Sequence, residues 1–231
     1  MFLKIKLLLI LMLLSIFNMY TFAGETTRKY DYKDFHAVEV GYGMHLVISQ
    51  SNSYAIEVKA DERDFEHLKV EKRNNSLRFY IDSDHFRKRG NIEITIKMPE
   101  LTDLTLSGGS EGKIGMNISK DFEAGLSGGA LLQGSLKCAN AKFSLSGGAR
   151  MTLSGSGKDL DLNGSGGSIF KLKQFSALNA DVTLSGGSDA KLKVNGKLRT
   201  SQSGGSHVSY SGNTVVESSQ MSGGSKISKE D

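Results

Sequence analysis

The chain has 231 residues, with 29 Lys and Arg against 25 Asp and Glu, one Cys and no Trp. A single Cys excludes an internal disulfide, so stability must come from packing and hydrogen bonds. The near balance of charge gives no general argument for a nucleic-acid partner, and the length allows one large domain or two small ones.

The first segment fixes the expected compartment. Lys4 and Lys6 precede an apolar run from Leu7 to Phe17, and a polar end closes on Thr21-Phe22-Ala23. That order is a secretory signal peptide over residues 1–23, cut after Ala23. The apolar run falls short of the roughly 20 residues of a comfortable membrane span, although an uncleaved N-terminal anchor is the alternative. No Cys stands near the cut to accept a lipid. Without Lys4 and Lys6, the 29 basic residues become 27 against 25 acids. The expectation is an exported protein of the periplasm, the outer-membrane surface or the extracellular space, with no transmembrane span after cleavage.

Residues 24–100 form a strand-rich N-terminal part. Phe35 to Gln50 alternates through Val38, Val40, Met44, Leu46 and Ile48, with Gly41 and Gly43 as a bulge or bend. Ile56–Ala60 is a short strand. Asp61 to Leu68 is one helical turn or a loop, with Asp61 as its N-cap. Leu77–Ile81 and Ile92–Met98 are further strands, and Pro99 ends the last of them. The loop between those two carries Asp82, His85 and the basic run Arg87-Lys88-Arg89, which is a solvated loop or a contact for an acidic polymer. This part is expected to pack on the C-terminal half of the chain and cover its open end.

Residues 101–231 are dominated by a repeat. Ser-Gly-Gly occurs as Ser107-Gly108-Gly109, Ser127-Gly128-Gly129, Ser146-Gly147-Gly148, Ser165-Gly166-Gly167, Ser185-Gly186-Gly187, Ser203-Gly204-Gly205 and Ser222-Gly223-Gly224, at steps of 20, 19, 19, 20, 18 and 19. The position three after each Ser is always small: Ser110, Ala130, Ala149, Ser168, Ser188, Ser206 and Ser225. Five after it stand Gly112, Leu132, Met151, Phe170, Ala190, Val208 and Ile227. One before it stand Leu106, Leu126, Leu145, Gly164, Leu184, Gln202 and Met221. Apolar and polar positions alternate on both flanks of each glycine pair, so each repeat is two half-buried strands around a tight corner. The predicted fold is all-β: a right-handed parallel β-helix, or β-solenoid, of about seven coils of 18–20 residues. A set of antiparallel hairpins is the alternative, because Gly-Gly corners suit hairpins too. The triplet Ser is expected to tie the turn backbone through its hydroxyl; the other reading is a hydroxyl ladder facing a ligand. Cys138 is a small buried filler, or a reactive thiol. Thr200, Gln202 and Ser219 make the last inward positions polar, as suits a terminal coil.

No constellation of catalytic residues emerges. The glycine pairs lack the Lys-Ser/Thr of a phosphate-binding loop. Gly155-Ser156-Gly157 and Gly164-Ser165-Gly166 lie inside the strand repeat rather than before a helix. His36, His45, His67, His85 and His207 have no metal-ligand spacing. Asp189 is the lone acid just past a triplet, so no calcium ladder is expected. Asp159 and Asp161 are the nearest carboxylate pair, and they fall in a strand of alternating sides, where a structural role is expected. No catalytic, cofactor or metal residues are assigned, and no cofactor is expected.

The join Met98-Pro99-Glu100-Leu101-Thr102-Asp103-Leu104-Thr105-Leu106-Ser107-Gly108-Gly109-Ser110, followed by recurrent Leu-Ser-Gly-Gly-Ala/Ser, resembles the auto-transporter adhesin head, or GIN, domain family. The resemblance covers about residues 35 to 225. It implies a β-helical fold, export and a role in adhesion. It supplies no catalytic residues. The leading expectation is therefore a non-catalytic binding module, an adhesin of the cell surface or envelope whose partner is a glycan, an envelope polymer or a surface protein. The alternatives are a structural envelope protein that binds another protein, and a carbohydrate-active enzyme on a β-helix; solenoid ends and edges can pair, so a homo-oligomer is open to any of them.

Overall fold

The structure is a computed structural model that describes residues 24–82 and 90–230. The leader, His85 and Arg87 to Arg89 lie outside the described residues. The repeat region runs as β8 (Asp103–Leu106), β9 (Glu111–Asn117), β10 (Phe122–Leu126), β11 (Leu131–Lys137), β12 (Ala141–Leu145), β13 (Arg150–Gly164), β14 (Ile169–Leu184), β15 (Asp189–Val194), β16 (Lys197–Gln202), β17 (His207–Ser211), β18 (Val215–Met221) and β19 (Lys226–Lys229).

Every pairing among these strands is parallel, which decides for a solenoid over hairpins. A first face stacks β8, β10, β12, the end of β13, the end of β14, β16 and β18. A second face stacks β9, β11, the start of β13, the start of β14, β15, β17 and β19. The seven Ser-Gly-Gly corners join the faces along one edge and bound about six full turns of solenoid. Because each coil lies in register on the last, like residues stack in columns. Leu104, Ala124, Phe143, Leu162 and Val182 line the inside of the first face, and Leu132, Met151, Phe170 and Ala190 the inside of the second. At the second edge Phe122, Phe143 and Phe175 meet edge to face, with centroids 6.3 and 6.0 Å apart.

The columns are not uniform, and the departures compensate. Gly164 interrupts the leucine column, and Phe170 in the facing column fills the space. A Cβ at Gly164 would lie 2.6 Å from Leu184 Cδ2 and 2.8 Å from Phe170 Cε2. Gly112 does the reverse, making room for Leu106 and Leu132, whose methyls would lie 2.7 and 3.1 Å from a Cβ there. Such large-against-small matching keeps a core at native density when repeats vary.

The N-terminal part comprises β1 (Glu25–Tyr30), β2 (Ala37–Val40), β3 (His45–Gln50), β4 (Ala55–Asp61), helix α1 (Glu62–Phe65), β5 (Leu68–Arg73), β6 (Ser76–Ile81) and β7 (Glu93–Met98). Strands β2 and β3 form a coil that pairs in parallel with β8 and β9 on one side and with β6 and β7 on the other. Its corner is Gly41-Tyr42-Gly43-Met44, and the strand registers set it directly on Ser107-Gly108-Gly109-Ser110. The two glycines expected as a bulge or bend therefore make the bend of a further coil corner, without the Ser-Gly-Gly signature. Beyond β6 and β7 the pairing turns antiparallel: β5 lies on β6, β4 on β7, and β1 on β4. That change closes the parallel stack, and β1, with sequence ETTRKY, presents a charged edge. Asp61 is the N-cap of α1 but makes no side-chain capping bond, and the buried Asp64 accepts from the Gly90 N–H at 2.9 Å instead.

At the other end β18 is exposed at every residue. Inside it Thr200 donates to Ser219 at 3.0 Å and Gln202 to Thr200 at 3.4 Å. Gln202 Oε1 has no hydrogen-bond partner among the described residues.

Candidate binding surfaces

The Ser-Gly-Gly edge is a backbone device. In the first three corners both glycines have positive φ, 59° and 77° at Gly108 and Gly109, and the Ser110 N–H closes the turn on the Ser107 carbonyl at 3.2 Å. From Gly166 onward only the first glycine of each pair has positive φ. The second then donates between coils, from Gly187 to the Gly166 carbonyl at 2.7 Å and from Gly205 to the Gly186 carbonyl at 2.8 Å. The hydroxyl that ties the turn belongs to the residue three further on, not to the triplet Ser. Ser110, Ser188, Ser206 and Ser225 donate to the carbonyls of Ser107, Ser185, Ser203 and Ser222 at 2.7–3.0 Å. Those hydroxyls point inward, and Ser110, Ser188 and Ser206 are buried. This explains why that column is always small.

The second edge carries a groove of about 850 Å³. Its floor is Phe122, Ala141, Leu160 and Ala180, and its rim is a ladder of Asp and Asn at successive corners. Asn140 Nδ2 and its backbone N–H both donate to Asp121 Oδ1, at 2.9 and 3.1 Å. The Asp159 N–H donates to Asn140 Oδ1 at 3.3 Å, Asn179 Nδ2 to Asp159 Oδ1 at 2.8 Å, and the Lys197 N–H to Asn179 Oδ1 at 3.1 Å. The ladder satisfies backbone groups that the corner leaves unpaired. Its signal was present in the sequence: Asp121, Asn140, Asp159, Asn179 and Lys197 each stand six residues before a triplet Ser.

The wall of the groove is a second column, Asp103, Glu123, Lys142, Asp161, Asp181 and Arg199, in unbroken register. Lys142 pairs with Glu123 at 2.9 Å, and Arg199 bridges Asp181 at 3.4 Å and Glu217 at 2.6 Å. The hydrogen bond from Lys197 holds the Glu217 carboxyl below the usual carboxylate range. Asp159 and Asp161 flank the buried Leu160 and share the outer surface. The strand's alternation of sides puts i and i+2 together. Asp159 is taken up by Asn179, and Asp161 accepts from Asn163 Nδ2 at 2.9 Å. Each carboxylate of this pair is thus fixed by a neighbour on an open surface. A general acid or base instead needs a reactive proton within reach in a site that excludes water.

Among the described residues no three His, Cys, Asp or Glu are grouped to hold a metal. Asp189 meets His207 Nδ1 at 3.4 Å. Cys138 is half-buried rather than a fully enclosed filler, with its thiol 4.0 Å from the Ser156 carbonyl. Burial, and then the charge of Asp121, push that thiol up to about 11, which opposes a thiolate nucleophile.

A family model described as "Putative auto-transporter adhesin, head GIN domain" matches residues 34–214. The chain belongs to this family. The match crosses from the N-terminal strands into the solenoid, as the interleaved coil of β2 and β3 requires. No curated protein matches the GIN-domain chain in sequence. Among solved structures, a putative adhesin from Bacteroides fragilis is similar with TM-score 0.82 and 18% identity, over 90% of this chain and 97% of that one. A putative lipid binding protein from Parabacteroides distasonis is similar with TM-score 0.71 and 17% identity, over 91% and 98%. A putative adhesin from Parabacteroides merdae has TM-score 0.69 and 16% identity, over 91% and 98%. At these identities the likeness carries the fold.

Proposed function

We propose that this GIN-domain chain is an exported, non-catalytic binding module that acts as an adhesin at the cell surface or in the envelope. The observation that carries the reading is the groove along the second edge, where several coils present an ordered row of amides, carboxylates and bases above an apolar floor. Convergent polar groups above apolar contact are what a saccharide surface requires. The carboxylates there are held in hydrogen bonds and ion pairs, which suits recognition better than proton transfer.

The test is a screen of the chain without its leader against host glycans and bacterial envelope polysaccharides, with product release followed in the same wells. Saturable binding without cleavage, weakened by Asp161→Ala together with Asn140→Ala, is expected. Release of reducing ends would assign an enzyme instead, and failure to bind any glycan, polymer or cell surface at physiological salt would refute the reading. A second reading, an envelope protein that docks on another protein or on its own copy, is favoured by the open strand edge of β18 and β19. Val215, Val216 and Met221 are 64%, 39% and 51% exposed there. Cross-linking in envelope extract separates the two.

A further inference from the structure

The near balance of charge in the whole chain hides a separation between its two faces. Along the second face, from β9 through β19, the strands carry nine Lys and Arg against two acids, Glu111 and Asp189. The strands of the first face, from β8 through β18, carry four against six. The pairing of these charges differs as well. On the first face Lys142, Lys158, Lys197 and Arg199 all sit in ion pairs. On the second, only Lys173 does among the described residues, with Glu230. Lys113, Arg150, Lys171, Lys191, Lys193 and Lys226 form none with those residues.

Register arranges these bases into a stripe along the solenoid. Lys113, Gln133, Thr152, Lys171 and Lys191 occupy one column, and Lys171 and Lys191 are direct partners. Adjacent strands lie about 4.8 Å apart, so two like charges stand side by side, with Glu230 acting on Lys191 from the last coil. The neighbouring column carries Arg150 and Lys226, with Ile169, Asp189 and His207 between them, and Lys193 broadens the stripe on the other side. Hydroxyl and amide groups of Gln133, Thr152 and Ser154 fill the spaces. Of the large apolar side chains that are exposed, Tyr42, Leu178, Val215, Val216 and Met221 lie off this stripe, and Val47 stands at its N-terminal end beside Lys113. A lipid surface would call for apolar residues among the bases, whereas a flexible anionic chain needs only repeated charge and hydrogen-bonding groups.

We infer that the second face is a docking surface for a linear acidic polysaccharide, laid along the solenoid and neutralising the unpaired lysines. The inference rests on the binding-module reading but uses the face opposite the charge-paired wall of the groove. Its probes are dextran sulfate and carboxymethyl dextran, with unmodified dextran and anionic phospholipid vesicles beside them. Sulfate and carboxylate arms separate the two anion sources. Both are expected to bind, or sulfate alone, with affinity falling as salt rises past about 0.15 M, where the screening length is near 8 Å. Lys171→Glu with Lys193→Glu should weaken binding about tenfold or more, while Lys29→Glu with Lys33→Glu, both exposed in the N-terminal part, leaves it within about twofold. If charge reversal lowers the melting temperature, Lys171→Gln with Lys193→Gln serves in its place. Equal binding by both pairs of variants, equal binding of charged and plain dextran, or capture of vesicles without dextran sulfate overturns the inference. Binding of a neutral glycan without dextran sulfate overturns it and leaves the binding module standing; no binding to any polymer or surface removes both.

Discussion

Restoring leucine at position 164 should make the repeat more regular and the protein less stable. The residue before the triplet is Leu at 106, 126, 145 and 184, so Gly164→Leu is a consensus substitution, a class that commonly stabilises. The packing argues the opposite. A Cβ at 164 alone would approach Leu184 Cδ2 to 2.6 Å, Phe170 Cε2 to 2.8 Å and Ser168 Oγ to 3.0 Å. Those three side chains are 1%, 0% and 0% exposed, so none can swing into solvent. Forcing extra methylenes into such a site costs about 1–3 kcal/mol, or about 2–4 °C of melting temperature for each kcal/mol in a chain of this size. Phe170→Ala alone should cost about 3–5 kcal/mol through the cavity it opens. In the double variant the leucine occupies that cavity, so the double should be more stable than Phe170→Ala alone. Urea unfolding followed by circular dichroism on all four proteins measures the coupling. A Gly164→Leu protein with a raised midpoint, or single effects that add within about 0.5 kcal/mol, would refute the compensation between these two columns.

The two glycines of a late corner should behave differently. Gly186→Ala sets a Cβ 2.8 Å from the Gly166 carbonyl oxygen at φ +67° and should cost more than about 1 kcal/mol, while Gly187→Ala, whose nearest contact is 3.7 Å, should be neutral or stabilise slightly in the same urea series. Asn179→Ala removes the bond to Asp159 and the acceptor for the Lys197 N–H; a loss of about 1–2 kcal/mol and faster hydrogen exchange at Lys197 are expected. The Cys138 thiol is raised from 9.0 to about 11 by burial first and Asp121 second. The folded state therefore favours the neutral thiol, and this contribution is whole below the unfolded value and lost as pH climbs from about 9 towards about 11. Native alkylation should accelerate only near the upper end of that window, and a native midpoint equal to that of the unfolded chain would show that burial does not govern the thiol.

The solenoid was legible because corners constrain chemistry more tightly than strands do. A corner that stacks backbone on backbone leaves no room for a side chain. Gly128 lies against Gly108, and Gly147 against Gly128, each with Cβ-to-backbone distances of 3.2–3.3 Å, so the glycine pair recurs and its period shows. The coil of β2 and β3 escaped that signal. Its corner has Tyr42 at φ 63° where the others have glycine, a costly conformation for a residue with a Cβ. As the first corner in chain order it has Gly108 as the partner on its triplet side, and Gly108 brings no side chain against it. Strand β5 was missed for a plainer reason: Lys69, Glu71 and Arg73 alternate with Leu68, Val70 and Lys72, so its apolar period fades within one strand.

The surfaces were hidden by a different cause. Inward columns announce themselves through hydropathy, because burial restricts residue type. Outward columns are held only by register, and a column that reads Asp, Glu, Lys, Asp, Asp, Arg looks like ordinary solvated surface until the strands are stacked. Once stacked, its bases stand beside acids and form ion pairs along the first face. The column opposite keeps its bases apart from acids, although no single strand departs from ordinary composition. Exposed ion pairs contribute at most about 1 kcal/mol each, so folding alone selects neither arrangement strongly. Pairing on one face with unpaired bases on the other is therefore better explained by what each face meets than by what holds the solenoid together.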